Sequence, residues 1–148
     1  MKTYALFNNA FFQRKPWWMP QKLYDVVCQR SNPRTKDYML HLLYEKFPDA
    51  ELISECLSLP SSRVILVYSD SIGLGWGKLE KKCLKQFTEV QVLTGRKRIF
   101  DLTLLERCKL MFRRFFEITF FFELIIMPFL LIYGSILAIK DKIIGHVS

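Results

Sequence analysis

The sequence predicts a small three-layer α/β domain with parallel strands, followed by an amphipathic interfacial helix and a C-terminal membrane helix. Three observations carry this. Val64-Ile65-Leu66-Val67-Tyr68 is an unbroken apolar run rich in β-branched residues, the pattern of a strand covered on both faces in a parallel sheet. A glycine-rich loop, a charged helix and a second strand follow it within about thirty residues, the size of a βαβ unit. Finally, residues 115–139 form a 25-residue stretch with two charges, Glu117 and Glu123. Together these place a Rossmann-like domain at residues 1–100, the interfacial helix at 101–116, the membrane segment at 117–140 and a short tail at 141–148.

At 148 residues the chain fits one ordinary domain. With its last third membrane-like, about a hundred residues remain for a core, enough to fold alone with modest stability. Residues 1–12 hold one lysine and a short apolar run broken by Asn8 and Asn9. That is too short and interrupted for a secretory signal, so a cytoplasmic main domain at the inner membrane is expected. Trp17 and Trp18 lie between Pro16 and Pro20. They suit either the headgroup level of a bilayer, where indole is half apolar and half polar, or a place on the core.

Residues 21–30 read as a helix with Leu23, Val26 and Val27 on one face. Asn32 and Pro33 supply an N-cap and a first helical position for the next helix, which runs to Phe47 with Met39, Leu40, Leu43 and Phe47 as its buried stripe and His41 solvated. Pro48 ends it. Residues 49–59 suit a helix capped by Asp49, with a strand as the alternative. After the strand at 63–68 and the loop, residues 78–87 form a helix burying Leu79, Cys83 and Phe87, and residues 89–93 a second strand. In residues 102–116, Leu104, Leu105, Cys108, Met111, Phe112 and Phe115 line one face, with Glu106, Arg107, Arg113 and Arg114 opposite. A basic face against an apolar one is the pattern of a helix lying in a membrane interface, although a helix packed on the sheet shares it.

The formal charge of +8 calls for an anionic partner. Seven cations, from Arg96 to Arg114, precede the apolar segment. Juxtamembrane cations of this kind contact lipid headgroups, which points to membrane lipids and away from nucleic acid. On this reading Arg107, Lys109, Arg113 and Arg114 sit at the interface. The four cysteines form no C-x-x-C pair and there are two histidines. No metal site or cofactor is expected, and the cysteines read as small buried apolar residues in a reducing compartment.

As one helix, residues 115–139 would span about 37 Å against a hydrocarbon core of about 30 Å. Counting from Leu124 leaves 16 uncharged residues, and Pro128 interrupts the backbone bonding. Two geometries fit: a single crossing with the α/β domain on the cytoplasmic side, or a re-entrant helix bent at Pro128.

Arg113-Arg114-Phe115-Phe116-Glu117-Ile118, an apolar run to Met127-Pro128, a second run to Lys140, then Gly145 and Val147 resemble the membrane-entering segment of the monotopic phosphoglycosyl transferases. These are bacterial sugar transferases that begin envelope glycan assembly. The likeness covers residues 113–148. Glu117 stands where an Asp is usual, Met127 where a Ser is usual, and His146 where a proline is usual. The catalytic domain of such enzymes has no counterpart before Ser148, so no catalytic residue is carried over. The resemblance implies a re-entrant geometry, an envelope-polysaccharide setting, a membrane enzyme as partner and, for any reaction, glycosyl or phosphoglycosyl transfer.

The candidate site is the loop Ser69-Asp70-Ser71-Ile72-Gly73-Leu74-Gly75-Trp76-Gly77. Glycines let a backbone approach a ligand, and the following helix N-terminus offers free N–H groups to phosphate. The spacing is neither G-x-G-x-x-G nor a P-loop, because Leu79 follows Lys78 where a hydroxyl is needed. Ser71, Gly73, Gly75, Gly77, Lys78, Arg96 and Arg98 would hold a nucleotide-sugar or polyprenyl phosphate. Asp70 faces the crevice at the strand end and is the candidate base. The alternative is a purely structural turn with Trp76 packed beneath it, in a non-enzymatic membrane-anchored interaction protein.

Overall fold

The structure is a computed structural model and describes residues 2–54, 62–119 and 121–145. The chain forms two compact units, Met1–Arg114 and Phe115–Ser148. In the first, the strands are β1 (Thr3–Phe7), β2 (Glu51–Ile53), β3 (Arg63–Tyr68), β4 (Glu89–Thr94) and β5 (Ile99–Asp101). They form one sheet in the order β2-β1-β3-β4-β5. All neighbouring pairs are parallel except β4 with β5. The expected α/β class therefore holds, with one antiparallel strand added at the edge.

The helices of this unit are α1 (Ala10–Gln13), α2 (Gln21–Ser31), α3 (Lys36–Lys46), α4 (Gly77–Gln86) and α5 (Leu104–Thr119), which runs on into the second unit. Residue parity divides the sheet. Ala5, Ile65, Val67 and Leu93 meet Met39, Leu42, Leu43 and Ala50 on the α3 side. Their neighbours Val64, Leu66, Tyr68 and Val92 point to the opposite face and are fully buried too, which is why β3 reads as a continuous apolar run.

Several local expectations are corrected. The interrupted N-terminal run is β1, with Tyr4, Ala5 and Leu6 buried in the sheet. Asn32 does not cap α3: it ends α2 in the left-handed region (φ 43°), and Thr35 caps α3 by accepting from the Tyr38 N–H. Residues 51–53 are strand β2 rather than helix, since they pair in register with β1; the rest of that segment, 55–61, lies outside the described residues. Val26 is exposed, leaving Val27 as the buried residue of α2. Neither Trp17 nor Trp18 packs on the core; Met19 does, and Trp17 is 93% exposed. The cysteines differ from one another: Cys83 is buried and disulfide-bonded, whereas Cys28 and the exposed Cys108 are free thiols.

In the second unit, α6 (Phe121–Gly145) is assigned as one helix with Pro128 inside it. Its residues from Ile126 to Ile139 are exposed. No helix is long and apolar enough to cross a membrane among the described residues.

Candidate functional site

In an open parallel sheet, ligands bind beyond the carboxyl ends of the strands, where the connections leave to opposite faces. Here that rim is built by the link from α2 to α3, the loop after β3 and the turn after β4. The loop after β3 is held from within. Asp70 is buried and accepts from the Gly73 N–H (2.7 Å) and the Leu74 N–H (3.1 Å). Burial pushes its pKa above the ordinary carboxylate range, opposed by those two N–H groups and by the Arg114 charge. Both carboxylate oxygens are engaged, so the geometry gives Asp70 a turn-fixing role in place of the expected base.

The glycines are likewise occupied by the fold. Gly73 has φ +68°, and a Cβ there would run into the Tyr68 ring. Gly75 lies against Phe11. Ile72, Leu74 and Trp76 are buried around them, and Trp76 packs on Tyr68 at 4.8 Å between ring centroids. Gly77 opens α4 and Lys78 points to solvent. This is the geometry of the structural-turn alternative.

Beneath the loop lies a cluster that the sequence reading did not assemble. Glu80 of α4 is fully buried and accepts from the Tyr68 hydroxyl (2.5 Å) and from both terminal nitrogens of Arg114. Arg107 stands 3.8 Å from the same carboxylate. The Arg114 Nε donates to the Ile72 carbonyl at 2.8 Å, which ties α5 to the loop. Burial pushes Tyr68 well above its ordinary value, and the Glu80 charge pushes it further. Burial alone would lower Arg114, but its bonds to Glu80 outweigh that and the net shift is upward.

Two of the four expected interfacial cations, Arg107 and Arg114, therefore face the protein. Lys109 and Arg113 are exposed, with Lys109 paired to Glu106 at 2.5 Å. Helix α5 is turned inside out relative to an ordinary surface helix. Leu110 and Arg114 are its buried side, while Leu104 (76% exposed), Leu105, Met111, Phe112 (65%) and Phe115 are exposed.

The polar feature of the rim is a cleft of about 110 Å³ lined by Ser31, Asn32, Arg34, Ser69, Asp70, Ser71, Gly95 and Arg96. The Arg34 N–H donates to the Ser69 carbonyl at 2.7 Å, and the Gly95 N–H to the Asp70 carbonyl at 3.3 Å. A Cβ on Gly95 would meet the Ser69 carbonyl oxygen at 2.5 Å, so only glycine lets β4 approach this closely. Of the ligand residues expected from sequence, the cleft unites Ser71 and Arg96, beside Asp70, and leaves out Gly73, Gly75, Gly77, Lys78 and Arg98. It adds Ser31, Asn32 and Arg34 from the α2–α3 link, about forty residues away in sequence. In the sequence, Asn32 and Pro33 marked that link only as a break between helices. Larger hollows of about 440 Å³ and 370 Å³ exist, but the first lies at the amino ends of β3 and β4, away from the rim, and the second borders undescribed residues. Among the described residues no group of His, Cys, Asp and Glu is placed to hold a metal ion.

No protein-family model, curated protein or solved structure matches the chain.

Proposed function

We propose that this chain is a membrane-bound accessory component of bacterial envelope polysaccharide synthesis that holds a phosphorylated ligand, nucleotide-sugar or lipid-linked, beside the bilayer. The observation that carries the membrane half is the orientation of α5. Its cations Arg107 and Arg114 are consumed by buried Glu80, and its large apolar side chains point outward. A soluble helix does the reverse, and an outward stripe of Leu, Met and Phe suits insertion into the headgroup and acyl boundary. Exposed Trp17, the exposed apolar residues of α6 and the cations Lys109 and Arg113 support the same placement. The envelope setting rests on the resemblance of residues 113–148 to the phosphoglycosyl transferases.

Vesicle flotation tests the membrane half. The full chain floats with phosphatidylcholine–phosphatidylglycerol vesicles, and Phe112→Glu weakens the partition of α5. Withdrawing one Phe from the apolar phase costs about 1.5–3 kcal/mol, roughly a tenfold to hundredfold loss of that contact. Because Phe112 is outside the core, the thermal midpoint of the α/β unit is unchanged. Undiminished flotation of the variant counts against this role for α5.

The structural duties of Gly73 and Gly75 favour a second reading. In it the glycine loop binds nothing, and the chain is a non-enzymatic membrane-anchored interaction protein.

A further inference from the structure

The geometry points to the cleft between the α2–α3 link and the ends of β3 and β4 as a site for a single phosphomonoester group, gripped by Arg34 and Arg96 with Ser31 and Ser71. It rests on the phosphorylated-ligand half of the proposed function, not on the membrane half.

Size decides the class of ligand. A volume of about 110 Å³ holds three to four waters at about 30 Å³ each. Sites that enclose a whole ligand run to about 300–1,000 Å³. The cleft therefore takes one anionic group and leaves whatever carries it outside, on the rim.

Charge decides the sign. Arg34 and Arg96 are exposed at the mouth, and neither has an ion pair among the described residues. Arg34 lies over the Tyr38 ring at 5.7 Å, an arrangement that orients a guanidinium without neutralising it. The one carboxylate in the lining, Asp70, already accepts two loop N–H bonds and is biased by burial toward its proton. The lining thus carries more positive than negative charge.

Hydrogen bonding decides the shape. The Ser31 hydroxyl oxygen is buried and has no hydrogen-bond partner among the described residues. An unsatisfied buried hydroxyl is costly unless something else completes it. It comes from one side of the cleft, while Ser71 and Arg96 come from two others. Donors converging from three chain segments suit a tetrahedral anion better than a flat carboxylate, which a single guanidinium fork satisfies.

The test uses the full chain in detergent, with inorganic phosphate as probe followed by ³¹P NMR line broadening. The expected result is saturable binding that falls at least tenfold in Arg34→Gln and in Arg96→Gln and is unchanged in Arg98→Gln, the neighbouring cation outside the cleft. Ser31→Ala weakens binding without lowering the thermal midpoint of the ligand-free protein, because its hydroxyl makes no hydrogen bond among the described residues. A second arm compares vesicles containing phosphatidic acid with vesicles containing phosphatidylglycerol, a phosphodiester. A preference for phosphatidic acid that Arg34→Gln abolishes assigns the phosphate to a lipid headgroup; phosphate binding without that preference assigns it to a soluble ligand. Absence of both, or equal losses in Arg34→Gln and Arg98→Gln, overturns the site. Phosphate binding by a protein that does not float with any vesicle would sink the membrane half alone.

Discussion

Asp70 shows how burial at one residue reaches the behaviour of the molecule. Its carboxylate fixes the turn after β3, yet desolvation raises its pKa more than the Gly73 and Leu74 N–H groups lower it. A carboxyl raised on folding binds its proton more tightly in the folded state. Below its unfolded value both states are protonated and it contributes nothing; above that, a cost builds as pH rises through the folded value and is then complete. The stability of the wild type relative to Asp70→Asn should therefore decline as pH rises from about 4. Urea unfolding of both proteins across that range checks it, and a rising or flat difference contradicts it. Asp70 was legible in sequence as a polar residue at a strand end. Its role was not, because a sequence does not reveal whether a carboxylate meets solvent or two N–H groups of its own loop.

At the scale of the element, α5 and α4 explain each other. Glu80, Cys83 and Phe87 recur at i, i+3 and i+7 and are all buried, so a carboxylate sits within the apolar stripe of α4. A buried carboxylate demands a buried cation. Arg107 and Arg114, spaced i and i+7 on α5, answer that demand and set which face of α5 turns inward. The sequence reading put Leu79, with Cys83 and Phe87, on the buried stripe of α4; in the structure Glu80 takes that place and Leu79 is half-buried. The periodicity of α5 set Leu104, Leu105, Met111, Phe112 and Phe115 on one face, and they are exposed; it grouped Arg113 with Arg107 and Arg114, but Arg113 is exposed and Leu110 shares the buried side. Apolar periodicity normally points inward, and here an ion pair overrides it. Glu80→Gln leaves two guanidiniums beside a neutral amide, and breaking a buried pair in this way costs about 3–5 kcal/mol. Urea unfolding followed by far-ultraviolet circular dichroism measures it. A loss below about 1 kcal/mol, the scale of an exposed pair, would mean that the cluster is effectively solvated.

For the molecule as a whole, the strand order β2-β1-β3-β4-β5 places every parallel strand's carboxyl end on one rim, and the polar cleft lies on it. The central βαβ unit was legible because β3, the glycine loop, α4 and β4 are consecutive and each carries its own signature. β1 and β2 were not. β1 is short and followed by two asparagines, and β2 has three residues whose strand character comes from pairing with β1. Half of the cleft was hidden for the same reason, since Ser31 and Arg34 reach Ser71 and Arg96 only once α2 and α3 have crossed the sheet. The apolar C-terminal third was legible in composition. Its choice between a crossing and a turn at Pro128 was not, since a proline inside an apolar run is compatible with both.

The most direct test of the central claim, that the outward face of α5 lies in a bilayer, uses a reporter the chain already carries. Cys108 is an exposed free thiol in the middle of that face. In a Cys28→Ser background it can be labelled with bimane and titrated with phosphatidylcholine–phosphatidylglycerol vesicles. Contact with the acyl boundary predicts a blue shift and an intensity gain that saturate with lipid and diminish in Phe112→Glu. An unchanged spectrum from protein that nonetheless floats with the vesicles would show α5 facing water, and would contradict the claim.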